Sequence, residues 1–127
     1  MKITRIDSFM IWTEDYRKLA DWYMEMFGLA QEEEISLPDD TGVTLKVGDG
    51  SVLFWIGNHS GVKGKSKDPF RIMIGFQVDD VYKAHEELSK KGVEFISKPK
   101  VSPTGDYDVV TAKDPEGNII QLFHDHD

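Results

Sequence analysis

The sequence has no cysteine among its 127 residues. That excludes disulfides and thiolate metal sites. It has no apolar run longer than a strand, so no membrane span is expected. The opening stretch "MKITRIDSFMIW" lacks the long apolar core and small-residue cleavage site of a secretory signal. A cytoplasmic location is the expectation. Basic charge is in deficit, with 15 Lys and Arg against 23 Asp and Glu and a net charge of -8. A surface of that sign disfavours nucleic acid, whose phosphates require cations. The acids are spread along the chain apart from Glu32, Glu33 and Glu34. Solubility therefore explains them more simply than a cationic ligand, which would follow only if acids surrounded the site.

What is present is a composition of 39% hydrophobic and 30% charged residues, which reads as one soluble, globular domain over residues 1–127. Two stretches repeat a pattern: "IDSFMIWTEDYRKLADWYMEMFG" from Ile6 and "RIMIGFQVDDVYKAHEELSKKG" from Arg71. Each runs from a strand-like apolar segment through a pair of acids to an amphipathic segment and a glycine. Glu14-Asp15 and Asp79-Asp80 are helix-start signals, because a carboxylate accepts from the free N–H groups of a first turn. Leu19, Trp22, Tyr23, Met26 and Phe27 recur at helical spacing, as do Val81, Ala84 and Leu88. Gly28 and Gly92 fit the helix stops. Three shorter strands follow each helix, at 32–37, 43–47 and 51–56, and at 93–98, 108–112 and 118–123. "SPTG" and "DPEG" are turns. Each half is thus β-α-β-β-β.

The halves are residues 1–56 and 70–127. Residues 57–69, "GNHSGVKGKSKDP", read as a linker rich in glycine, lysine and serine. Its Gly-Lys pairs do not form a phosphate loop, since a strand and not a helix follows.

The segments "FMIWTEDYRKLADWYMEMFGL", "IGFQVDDVYKAHEELSKKGVEF" and "DPEGNIIQLF" together resemble the vicinal oxygen chelate superfamily, which includes glyoxalases, extradiol dioxygenases and bleomycin-resistance proteins. The resemblance implies an α+β fold in which two βαβββ modules form a cup-shaped mixed β-sheet with helices outside. It also implies a homodimer. In metal-dependent members, the ligands come from the first and last strands of each module. The first-strand ligand lies seven residues before the helix-starting aspartate, and the last-strand ligand four residues after the turn glycine. Transferred to this chain, those positions are Ser8, Met73, Gln121 and, counted from Gly50, Phe54. None is an imidazole or a carboxylate, the ligands that zinc, nickel, iron or manganese favour. A slip by one residue adds at most the carboxylate of Asp7. No metal and no other cofactor is expected.

Strand alternation supplies an expected cup lining. Ser8, Met10 and Trp12 share a face, with Phe9 and Ile11 turned to the helix. Val52, Phe54 and Ile56 are placed in the cup, with Leu53 and Trp55 behind. Met73, Gly75, Gln77, Gln121 and Phe123 complete the candidate ligand-binding set, and Gly75 is read as opening room on an inward face. Apolar bulk with a few polar groups suits a small-molecule pocket. The lining holds no histidine, lysine, cysteine or carboxylate, so no catalytic residue is assigned. His59 falls in the linker and His85 at a helix edge. His124 and His126 form an H-x-H at a terminus expected to fray.

The resulting expectation is a metal-free protein resembling bleomycin-resistance proteins, sequestering or sensing a hydrophobic or aromatic ligand, with neither nucleic acid nor membrane as partner. Two alternatives stay open: a glyoxalase- or dioxygenase-like metalloenzyme with an atypical site, and a non-catalytic structural subunit with a filled cup. On the main reading, Phe54→Ala and Trp12→Ala weaken ligand binding and leave the fold intact.

Overall fold

A computed structural model of the chain describes residues 1–126. It divides into two compact units, Met1–Gly64 and Lys65–Asp127. No helix among the described residues is long and apolar enough to cross a membrane.

The first unit runs β1 (Ser8–Thr13), α1 (Tyr16–Phe27), β2 (Ala30–Leu37), β3 (Asp40–Lys46) and β4 (Leu53–Asn58). Its sheet has the order β1-β4-β3-β2, with β1 parallel to β4 and the other pairs antiparallel. Asp15 caps α1 by accepting from the Lys18 N–H, as the acid pair predicts. Gly28 ends the helix at φ 67°, a left-handed conformation that costs glycine little. Leu19, Ala20 and Tyr23 form the buried stripe of α1. They cover one face of the sheet, where Ile11, Val43, Leu45, Phe54 and Ile56 are buried. The Glu34 carboxylate accepts from the Tyr16 hydroxyl at 2.7 Å and from Arg17 at 2.8 Å, tying β2 to the first turn of α1. These bonds hold Glu34 below the usual carboxylate pKa, with the Tyr16 bond the larger cause.

The second unit runs β5 (Met73–Gln77), α2 (Val81–Lys90), β6 (Glu94–Phe95), β7 (Lys100–Val101), β8 (Tyr107–Lys113) and β9 (Ile119–Asp125). Its sheet has the order β5-β9-β8-β6, with β7 also paired to β8. Asp80 caps α2, accepting from the Tyr82 and Lys83 N–H groups. The unit's buried apolar residues include Ile74, Val81, Leu88, Val110, Ala112, Ile120 and Leu122.

The strand expected over 93–98 is reduced to the two residues of β6, and a separate short strand, β7, follows beyond it. Ser97 Oγ takes the Thr111 N–H at 3.0 Å in place of a backbone carbonyl, and Pro99 has no N–H to continue a ladder. The "DPEG" turn forms as expected. Buried Asp114 accepts from the N–H groups of Glu116 and Asn118 and from the Asn118 amide. The turn closes with Gly117 at φ 84°. That arrangement sets the register with which β9 enters the sheet.

Candidate functional site

In the first unit, β1 and β4 run parallel with Ser8 beside Leu53, Phe9 beside Phe54, Met10 beside Trp55 and Ile11 beside Ile56. Paired residues share a face. Phe9 and Ile11 lie on the α1 side, so Phe54 and Ile56 lie there too. Phe54 stands edge-on to Phe9 and Tyr23 and is 3% exposed, and Ile56 has no exposed surface. This corrects their expected place on the open face. The reason is one residue of turn: β9 begins two residues after Gly117, whereas β4 begins three after Gly50. Counting four from each glycine therefore lands on opposite faces of the two sheets.

The helix-free face of the first sheet instead carries Ser8, Met10, Trp12, Leu53 and Trp55. Met10 is 54% exposed and Trp12 36%. The Trp55 indole lies across Gly42 and Gly57, where a Cβ at Gly42 would come within 2.5 Å of the ring. Two absent side chains thus make its bed. Trp12 meets Trp55 edge-on at 6.0 Å between ring centroids and His59 edge-on at 5.5 Å.

Trp12 also walls a recess of about 520 Å³ between the ends of β1 and β4 and the β2–β3 turn. Glu14, Asp39 and Asp40 bring carboxylates to it, and Lys63 an ammonium. Backbone bonds shape it. The His59 N–H donates to the Thr13 carbonyl at 3.0 Å, and the Tyr16 N–H to Asn58 Oδ1 at 2.8 Å. The Gly64 N–H donates to Glu14 Oε1 at 2.6 Å, which folds residues 59–64 back onto the start of α1. Residues assigned to a linker therefore include part of this wall.

In the second unit, β5 and β9 are parallel with Met73 beside Ile119, Gly75 beside Gln121 and Gln77 beside Phe123. Met73, Gly75 and Gln77 are exposed, and Gln121 and Phe123 half-buried. The Gln121 amide donates to Thr111 Oγ1 at 3.2 Å. The room left by Gly75 is taken by Phe123, whose Cε2 would lie 3.0 Å from a Cβ there.

The model of the glyoxalase/bleomycin resistance protein/dioxygenase superfamily matches residues 5–122. The chain belongs to this superfamily. Solved structures repeat its fold. A superfamily member from Sphaerobacter thermophilus is 24% identical with TM-score 0.79, covering 97% of this chain and 98% of its own. A glyoxalase I variant from Zea mays is 21% identical with TM-score 0.78, covering 97% of this chain and 45% of its own. TnmS3, an antibiotic binding protein from Streptomyces, is 18% identical with TM-score 0.78, covering 99% of each. At these identities the likeness establishes the fold and leaves the ligand open.

The metal of the metal-dependent superfamily members does not fit here. Gln121 pairs with Gly75, two residues past Met73, and the residue paired with Met10, two past Ser8, is Trp55. The set is Ser8, Trp55, Met73 and Gln121: a hydroxyl, an indole, a thioether and an amide. None brings the charge or imidazole needed to offset an ion's lost hydration.

A further cluster escaped the sequence reading. His124 belongs to β9, a paired strand, rather than to a fraying end. Its Nε2 lies 3.1 Å from Asp108 Oδ2, and His126 Nε2 lies 2.9 Å from Asp108 Oδ1. The bond to Asp108 raises the His126 imidazole above its usual pKa. The H-x-H spacing was a signal for the pair, but nothing in the sequence joined it to Asp108, sixteen residues before His124.

Proposed function

We propose that this protein binds a planar, hydrophobic small molecule on the helix-free face of the first module, to sequester or sense it, without a metal in the binding step. The observation that carries the reading is Trp12. It is a partly exposed indole braced edge-on by Trp55 and His59 at the wall of a 520 Å³ recess. A ring held in this way offers stacking area at little entropic cost. Apart from the Glu14–Lys63 ion pair at 3.8 Å, Asp39 and Asp40 favour a ligand with a positive group beside its aromatic part, since a cation gains both from carboxylates and from an indole face. Ser8 and Met10 extend the surface along β1. In the second module, taken by itself, Met73, Gly75, Gln77, Gln121 and Phe123 form the corresponding helix-free face, with Gln121 a polar amide on it. A homodimer and a cytoplasmic location belong to the same reading, the dimer supported by superfamily membership.

Tryptophan fluorescence and thermal shift test it with an acridinium-type cation and an uncharged anthracene-type analogue. The cation is expected to quench fluorescence and raise Tm more than the analogue, and EDTA to change neither response. No response to either compound, or binding that EDTA abolishes, would overturn the reading. Light scattering of the purified chain tests the dimer.

A further inference from the structure

The α2 side of the second sheet carries a group of side chains unconnected with the proposed ligand face. Asp108 on β8 and His124 on β9 are directly paired, so their side chains leave the sheet on the same side. His126, two residues on, is held by its backbone N–H to the Asp106 carbonyl at 2.9 Å and returns to that side. The Asp108 side chain is only 7% exposed, and those of His124 and His126 are 20% and 38% exposed. One ligand atom from each of the three residues falls within 4.8 Å of the others.

We propose that Asp108, His124 and His126 form a binding site for one late first-row divalent cation: zinc, nickel or copper(II). Two imidazoles and a carboxylate suit these ions, whereas magnesium and calcium prefer oxygen alone. An ion about 2 Å from each ligand atom is reached by small side-chain movements from the present spacing. His126 is oriented for it but holds a proton between Nε2 and Asp108 Oδ1, 2.9 Å apart, and that proton passes to solvent as the ion takes its place. The His126 Nδ1 lies 2.9 Å from the Gly105 carbonyl oxygen, so a proton on Nδ1 donates there and orients Nε2 toward the ion.

His124 has to change. Its Nδ1 accepts the Val81 N–H at 2.8 Å, which leaves the ring's proton on Nε2, facing Asp108. Coordination through Nε2 moves that proton to Nδ1, by way of solvent. Two donors then face each other, and the Val81 N–H at the start of α2 loses its acceptor. Metal occupancy and this tie to α2 are therefore mutually exclusive. The lost bond favours ions with strong imidazole affinity, in the order copper, nickel and zinc over manganese.

The test is calorimetric titration of the untagged, full-length chain with Zn²⁺ and Ni²⁺, with Mg²⁺ as control. One Zn²⁺ or Ni²⁺ per chain is expected, with no Mg²⁺ heat. Asp108→Asn and the more exposed His126→Gln should each weaken binding at least tenfold, and Trp12→Ala should leave it unchanged. Exchange of the Val81 amide, followed by NMR, should accelerate when Zn²⁺ is bound. Absence of binding would overturn the site. So would Zn²⁺ affinity unchanged by Asp108→Asn and His126→Gln, or a Val81 amide unmoved by metal. Loss of metal binding in these variants with the acridinium response intact separates this site from the ligand face.

Discussion

Phe54 stands edge-on to Tyr23, their ring centroids 5.4 Å apart and their planes at 84°, on the α1 side of the first sheet. Tyr23 has no exposed surface and Phe54 only 3%. This contact is part of the module's core. Phe54→Ala is therefore expected to lower stability by about 3–5 kcal/mol, through lost burial and the cavity left behind. Urea denaturation followed by circular dichroism measures it. A loss below about 1 kcal/mol would return Phe54 to the open face.

Trp12→Ala should behave in the opposite way. Its ring is partly exposed and braced edge-on by Trp55 and His59. Removing it is expected to cost about 1 kcal/mol of stability. The acridinium-induced rise in Tm should disappear. The pair of variants separates core from surface, since the sequence reading treated both as ligand contacts.

Two glycines make different predictions. A Cβ at Gly42 would meet the Ile56 carbonyl oxygen and the Trp55 ring, both at 2.5 Å, and backbone on one side cannot yield. Gly42→Ala should cost roughly 1–3 kcal/mol. At Gly75 the nearest atom is the edge of the half-buried Phe123 ring, at 3.0 Å. That ring can turn, so Gly75→Ala should cost less than about 1 kcal/mol. Equal losses in the two variants, compared by thermal melting, would show that the Trp55 bed is not a packing constraint.

Asp80 gives a pH test. The Lys83 and then the Tyr82 backbone N–H groups hold its carboxylate below the usual aspartate pKa. A group depressed in the folded state stabilises fully above its unfolded pKa, and that stabilisation is lost as pH falls through the folded value. The Tm difference between the parent and Asp80→Ala should therefore be largest at neutral pH and shrink below about pH 4. A difference that stays constant to pH 3 would mean the charge on the cap contributes nothing.

The sequence by itself determined the two βαβββ modules, both helix caps and the "DPEGN" turn. These rest on interactions within a few residues: Asp15 reaching the Lys18 N–H, Asp80 reaching Tyr82 and Lys83, and Asp114 reaching Asn118. It also determined that the superfamily's metal positions hold poor ligands, because neither face of β4 supplies an imidazole or a carboxylate there. Alternation fixed which residues of β4 share a side, but not which side that is. The extra residue between Gly50 and Leu53 decided it, by pairing Phe54 with Phe9. The wall formed by His59 and Lys63, and the meeting of Asp108 with His124 and His126, were likewise decided only by the tertiary structure. Those contacts join residues from different strands and loops, and distance along a chain carries no local signal of which partners hydrogen bonding will bring together.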